Sequence, residues 1–144
     1  MKYFLLGSFS SAFFLFGIAL MYGFAGTVSL AGIDAAVASQ VEGSGLLLGG
    51  IGLMAVGLLF KVSAAPFHVW TPDVYQGAPT AVTGFMAACT KVAAFGAMLR
   101  LFYVAFGGAR WDWTPMIWVI AILTMVVGAA RITQLRRLSR RQRH

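Results

Sequence analysis

The sequence contains little charge and very few acidic side chains. Only 10% of its 144 residues are charged, and the acids are Asp34, Glu42, Asp73 and Asp112. Soluble domains carry about 25% charged residues. This scarcity, together with 60% hydrophobic residues and a mean hydropathy of +0.83, excludes a soluble enzyme. Apolar and polar residues do not alternate as they do in a transmembrane β-barrel, so the composition predicts an all-α integral membrane protein.

Cysteine and the motifs of nucleotide and metal binding are also scarce. The single cysteine, Cys89, allows no internal disulfide. The sequence has no P-loop, no dinucleotide-binding fingerprint and no Cys/His spacing typical of a metal site. We therefore expect no cofactor on this chain.

Four apolar stretches are long enough to cross a bilayer, which takes about 20 residues. They predict helices over about 3–28, 46–70, 80–106 and 114–130, with a polar connection at 29–44. The second helix is expected to break near Pro66, because proline has no amide hydrogen to donate within the helix. Thr114 followed by Pro115 is typical of a helix start and opens the fourth helix.

Positive charge is concentrated at the end of the sequence. The last fourteen residues contain six arginines, most of them in a basic tail at 135–144. Such a tail beside an apolar helix favours an anchor at an anionic membrane surface, and no nucleic-acid partner is expected. Lys2 and these arginines outnumber Arg100 and Arg110, so both termini of a four-span protein are expected in the cytoplasm.

Lys91 is the most informative polar residue. Counted from Ala81 it lies roughly 15 Å inside a hydrocarbon core about 30 Å thick. A lysine side chain is too short to carry its ammonium to the headgroups from that depth, which argues against the alternative of snorkelling. We expect Lys91 to face the inside of the helix bundle, where water or a carboxylate can contact it.

Lys61 and His68 flank the expected helix break. Lys61 lies one turn before Pro66, where unwound backbone can hold water beside the ammonium; a lysine reaching the headgroups is the alternative. In an unbroken helix His68 would share a face with Lys61, and an imidazole can relay protons, although it can equally be a buried structural group. The candidate residues for proton transfer are thus Lys61, Lys91 and His68. Because no carboxylate lies in the four apolar stretches, an acidic partner must come from outside them.

The segment from Lys61 to Thr80 has the distinctive sequence KVSAAPFHVWTPDVYQGAPT. It closely resembles the signature of the antiporter-like subunits of respiratory complex I. The opening KYFLLGSFSSAFFLFGIALMYG is most similar to the subunit N family of NADH-quinone oxidoreductase. The resemblance covers about 1–134 and implies a partial antiporter-like bundle in which Lys61 and Lys91 belong to a proton path. It also implies an acidic residue that modulates Lys61, on a helix preceding this sequence.

This resemblance implies a function for the chain as part of a larger enzyme. The chain would belong to a proton-translocating, multi-pass subunit in the cell inner membrane, coupling NADH oxidation by quinone to proton pumping. NADH, FMN, iron–sulfur clusters and quinone would belong to the parent complex. The partners would be other membrane subunits of complex I, the lipid bilayer and protons. The basic tail at 135–144 departs from the family pattern, which favours a non-native end and a chain that is a piece of a longer subunit.

Two other hypotheses stay open. A subunit of a multisubunit cation/proton antiporter or of a membrane hydrogenase would share the two lysines but not the YQGAP sequence. An inactive truncated fragment, which inserts and moves no protons, also fits the missing acid and the unusual end.

Overall fold

The regular secondary structure of the described residues consists entirely of helices. This computed structural model describes residues 2–39 and 44–141, and the side chains of 3–39 and 44–134. The helices are α1 (Lys2–Ala25), α2 (Leu30–Ala38), α3 (Gly45–Val62), α4 (Trp70–Gly77), α5 (Thr80–Arg100) and α6 (Arg110–Arg141), with a π-helical turn at Leu101–Ala105.

Four of these helical stretches are long and apolar enough to cross a membrane. They are Tyr3–Ala25, Gly45–Val62, Thr80–Ala105 and Arg110–Gln134. The prediction of an all-α chain with four spans is therefore confirmed for the described part of the chain.

The first two spans are separated by more structure than the expected polar connection. Helix α1 ends at Ala25 because Gly26 adopts a left-handed conformation (φ +68°) and its amide donates to the carbonyl of Tyr22 at 2.8 Å. The connection then contains the short helix α2, which buries Ile33 and Val37. Glu42, which belongs to the same predicted connection, lies outside the described residues.

Helix α3 is shorter than expected. It begins after Ser44, whose side chain accepts a hydrogen bond from the amide of Leu46 at 3.3 Å. It ends at Val62 rather than near residue 70, because Ser63 adopts a left-handed conformation (φ 61°) three residues before Pro66. The helix break thus precedes the proline that led us to expect it.

The last helix differs from the prediction at both ends. It begins at Arg110, so Pro115 lies inside it, and the hydroxyl of Thr114 donates to the carbonyl of Arg110 instead of capping the helix. At the other end α6 continues to Arg141, so the stretch expected as a separate tail extends the helix. The side chains beyond Gln134 lie outside the described residues, as do residues 142–144.

Helices α1 and α3 pack closely through glycine. A Cβ atom on Gly57 would lie 2.6 Å from the Cβ of Phe14, and one on Gly50 would lie 2.7 Å from the sulfur of Met21. Such contacts leave no room for a side chain, which is how small residues let membrane helices approach each other.

The hydrophobic core lies where α1, α2 and α3 meet the turn between α5 and α6. The outward faces of α5 and α6 carry exposed apolar side chains such as Val92 and Met125, as expected of surfaces that contact lipid or other helices. The buried core residues are Met21, Ile33, Val37, Leu47, Ile51, Met54, Ala55, Leu59, Ala64, Phe102, Ala105, Phe106, Ala109 and Trp113.

Candidate functional site

The break segment, residues 63–69 between α3 and α4, begins with a Schellman motif. The amide of Ala64 donates to the carbonyl of Leu59 at 3.0 Å, and the amide of Ser63 donates to the carbonyl of Phe60 at 3.2 Å. These two bonds satisfy carbonyls that a helix end otherwise leaves unpaired. The last turn of α3, which carries Lys61, is therefore held by backbone bonds and by the left-handed Ser63.

The next amide in the break segment is satisfied by a distant helix. The amide of Ala65 donates to the hydroxyl oxygen of Thr124 on α6 at 3.1 Å, and Thr124 donates its own hydrogen to the carbonyl of Ile120 at 2.7 Å. Pro66, which follows, has no amide hydrogen. The backbone amides of residues 63–66 are thus fully accounted for, as expected of backbone that cannot face lipid.

Trp70 connects the start of α4 to the end of α3. Its indole nitrogen donates to the carbonyl of Phe60 at 3.2 Å, and its ring stacks on that of Phe60 with centroids 5.3 Å apart. The ring of Tyr3 on α1 lies 5.1 Å away on centroids. This buried indole fixes α4 against both longer helices.

Polar side-chain atoms without partners accumulate in and after the break segment. The hydroxyls of Ser63, Thr71 and Tyr75 and both ring nitrogens of His68 are buried, and none has a hydrogen-bond partner among the described residues. Buried polar atoms are normally paired with protein or ordered water. A group of five such atoms within thirteen residues therefore indicates a place where water or another polar group belongs.

Lys61 lies on the side of α3 that faces α1. Its side chain is exposed on the described part of the chain and lines a cavity of about 260 Å³ between the two helices. The hydroxyl of Ser11 on α1, which also lines the cavity, donates to the carbonyl of Gly7 at 2.9 Å, and the lining is otherwise mostly apolar. The other residues lining the cavity are Ser10, Phe14, Leu15, Gly57 and Leu58.

Lys91 lies near the middle of α5 and is half-buried. Its ammonium nitrogen lies 5.9 Å from the centre of the Tyr75 ring on α4. That distance is within the range of a cation–π contact, in which the negative face of an aromatic ring attracts a cation. The short helix after the break segment thus supplies an aromatic partner for the lysine of the third span.

The structure separates two of the predicted residues and gives the third a partner that was not predicted. Lys91 meets α4 through Tyr75, which the sequence analysis did not single out. Lys61 and His68 do not share a helical face, because α3 ends at Val62 and the break segment lies between them. Lys61 therefore lies at the end of α3 and His68 lies in the break segment, so one continuous helix does not carry both.

Three further polar residues join the predicted ones at this site. Ser63 and Thr71 lie in the polar stretch that the sequence already marks as unusual. Thr124 is the one polar side chain in the sequence between Thr114 and Arg131, and that isolation in an apolar run was the available signal. Within the described residues, no group of three or more His, Cys, Asp or Glu side chains could hold a metal ion.

Comparison with known protein families identifies a family match over most of the chain. Residues 1–138 match the family described as "NADH:quinone oxidoreductase/Mrp antiporter, TM". The chain belongs to this family. The antiporter-like resemblance of the segment from Lys61 to Thr80 is therefore confirmed.

Individual curated proteins are also similar to this chain, and two of them have the same name. The chain is 70% identical over 129 residues to NADH-quinone oxidoreductase subunit N of a Nocardioides species, which covers 90% of this chain and 24% of the relative. It is 67% identical over 136 residues to the protein of the same name in Salinispora arenicola, covering 90% and 26%. The chain thus spans about a quarter of the length of these relatives.

A solved structure agrees with the sequence comparison. A chain in the structure of respiratory complex I from Thermus thermophilus with bound aureothin is 50% identical, with a TM-score of 0.58. The match covers 69% of this chain and 21% of that one.

Proposed function

We propose that this chain forms part of a proton-translocating subunit N of an NADH-quinone oxidoreductase, in which Lys61, Lys91 and His68 transfer protons within the membrane. The observation that carries the proposal is the group of buried, unpaired polar atoms between the two lysines in sequence, on Ser63, His68, Thr71 and Tyr75. Ionisable and polar groups inside a membrane mark ion pathways, because lipid offers them no partner.

The chemistry follows from these groups. Hydroxyls and an imidazole without protein partners hold ordered water, and a chain of water and hydroxyls passes protons by exchanging hydrogen bonds. Lysine amines and the imidazole add sites where a proton rests between transfers. Lys91 lies beside Tyr75, the last residue of this polar stretch, and Lys61 lies two residues before Ser63, its first.

The proposal assigns the remaining chemistry to the rest of the enzyme. NADH, FMN, iron–sulfur clusters and quinone would bind other parts of the complex, and this chain would contact other membrane subunits, lipid and protons. We further propose that the chain lies in the cell inner membrane with both termini in the cytoplasm. The names of the relatives and the resemblance to a chain of complex I support the assignment to this enzyme. The orientation rests on the excess of lysine and arginine near the two ends of the sequence.

The test uses inverted membrane vesicles from the source organism, with substitutions in the chromosomal copy. Lys91→Ala and Lys61→Ala should each lower NADH-driven acidification of the vesicles by about tenfold or more at an equal amount of assembled enzyme. Arg100→Ala, at the end of the same helix as Lys91, is the matched control and should pump normally. Normal pumping in both lysine variants would overturn the proposal.

A second candidate function arises from the family description, which also includes Mrp antiporters. For a cation/proton antiporter, vesicle acidity would respond to an imposed sodium gradient without NADH.

The chain alone in proteoliposomes is expected to move no protons, because the acidic partner implied by the family resemblance lies outside it. Sustained flux through the isolated chain would contradict this expectation.

A further inference from the structure

We propose that Thr124 on α6 is a positioning residue for the break segment, and through it for His68. Its hydroxyl would hold the backbone of residues 63–69 in the arrangement that proton transfer needs. The proposal rests on the function proposed above, in which the break segment carries part of the proton path.

The contact itself joins two parts of the chain that are distant in sequence. The amide of Ala65 donates to the hydroxyl oxygen of Thr124 at 3.1 Å, across 59 positions. The one hydrogen of that hydroxyl is directed to the carbonyl of Ile120, so the oxygen presents its lone pairs to Ala65. The bond that Thr124 donates to Ile120 therefore sets the direction in which the Thr124 oxygen accepts.

The amide of Ala65 depends on this acceptor. The two preceding amides, of Ser63 and Ala64, return to carbonyls of α3, and the following residue is Pro66. Ala65 is 2% exposed, so water does not readily replace a lost partner. A buried amide without an acceptor is costly, and the backbone around it would shift to find one.

Other threonines in the chain show that this role is specific. Thr133 on α6 and Thr90 on α5 also donate to the carbonyl four residues earlier, which is the ordinary behaviour of threonine in membrane helices. Among the hydrogen bonds of the described residues, Thr124 alone of these three also accepts from another segment. Thr133 is therefore a matched control on the same helix.

The consequence for function follows from what the break segment carries. Residues 63–69 include two residues with unpaired buried atoms, Ser63 and His68, and they lead into the helix that bears Tyr75 beside Lys91. A shift of the backbone at Ala65 moves these groups relative to Lys61, which lies four residues earlier. Without the Thr124 contact, the path would lose its alignment while every proton-carrying group remained present.

The first experiment measures the contact directly. Amide hydrogen exchange is followed by mass spectrometry on peptides covering the break segment, in native membranes carrying the variants. Thr124→Val, which keeps the size but removes the acceptor, should speed exchange there by about tenfold. Thr124→Ser should exchange like the unmodified chain, and Thr133→Val should leave the break segment unchanged. Unchanged exchange in Thr124→Val would overturn the proposal.

The second experiment measures pumping in the same membranes, per NADH oxidised. Thr124→Val should lower this ratio about fivefold to tenfold, Thr124→Ser should restore it, and Thr133→Val should match the unmodified chain. If Thr124→Val fails to assemble, Thr124→Cys serves instead, because sulfur is a weak acceptor of similar size. Faster exchange with a normal ratio, or failure of serine to restore it, would overturn the proposal.

These two measurements also separate this proposal from the proposed function. Exchange at Ala65 does not depend on whether the chain pumps protons. If Lys61→Ala and Lys91→Ala pump normally, the proton-path assignment fails whatever the exchange data show. If the lysine variants lose pumping while Thr124→Val retains it, the role of Thr124 alone fails.

Discussion

The apolar spans of the chain are interrupted in two places. Both contain a hydrogen bond from a buried tryptophan, and they differ in how many buried polar atoms lack a partner. At the break segment the indole of Trp70 donates to the carbonyl of Phe60 at 3.2 Å. At the corner between α5 and α6, residues 101–113, the indole of Trp113 donates to the carbonyl of Phe106 at 2.9 Å. In both places a buried tryptophan donates to a carbonyl that also accepts the backbone amide three residues later, that of Ser63 at Phe60 and that of Ala109 at Phe106.

The two places differ in what remains unpaired. The corner is filled by aromatic rings, with Phe106 only 1% exposed and the guanidinium of Arg110 lying 5.9 Å from the centre of the Tyr103 ring. The break segment and the start of α4 instead bury five polar side-chain atoms without partners among the described residues. The comparison teaches that an interrupted helix does not itself require such atoms, so their presence at the break calls for a function.

The largest expected effect is on stability at the corner. Trp113→Ala should lower the free energy of unfolding by about 3 kcal/mol or more, because it leaves a cavity in the core and removes one of the two donors to the Phe106 carbonyl. Denaturant titration in detergent micelles, followed by circular dichroism, measures this loss. Enzyme that still assembles should pump a normal number of protons per NADH. An altered ratio would show that the corner also serves proton transfer.

The next effect separates the cations of the two places. Lys91→Arg should lower NADH-driven pumping by about tenfold or more, because arginine keeps its proton and cannot pass it on. The reverse change at the corner, Arg110→Lys, keeps a cation near Tyr103 and should leave pumping unchanged. The initial rate of vesicle acidification measures both. Equal losses in the two variants would contradict the distinction between the two places.

A smaller effect should separate function from stability at the break. His68→Leu should change the free energy of unfolding by about 1 kcal/mol or less, because no hydrogen bond within the described chain is lost. Pumping should nevertheless fall by about threefold to tenfold, because a relay group is gone. The two assays above measure both quantities. A strong loss of stability with normal pumping would make His68 a structural residue.

The smallest effect concerns the ring beside Lys91. Tyr75→Leu removes a cation–π contact of about 0.5 to 1 kcal/mol and should slow pumping by about twofold to fivefold. Tyr75→Phe keeps the ring and isolates the role of the hydroxyl. If the phenylalanine variant pumps normally and the leucine variant does not, the ring is what matters. Equal losses in the two variants would assign the effect to the buried hydroxyl, which both of them lack.

The sequence predicted the spans well and the break only approximately. Long apolar runs determine helices in a membrane, since no other local structure pairs the backbone. Pro66 indicated an interruption, but the helix stops three residues earlier because Ser63 adopts a left-handed conformation, which no pattern of hydrophobicity encodes. Thr114 and Pro115 predicted a helix start, but α6 begins at Arg110 and contains both residues.

The candidate site likewise contains residues that the sequence predicted and residues that it did not. Lys61, Lys91 and His68 could be named from their positions in the sequence, because charged groups and imidazoles are rare in apolar stretches. Thr124 and Tyr75 could not be assigned, because their roles depend on which helices pack together rather than on local spacing. The contact between Gly57 and Phe14 was missed for the same reason.

The carbonyl of Phe60 has a consequence for motion. It receives both the amide of Ser63 and the indole of Trp70, and it immediately precedes Lys61 in the chain. Trp70 belongs to the same two-turn helix as Tyr75. A rotation of that helix would therefore displace the aromatic surface beside Lys91 and pull on the peptide next to Lys61 in one movement, so the two amines would change their surroundings together.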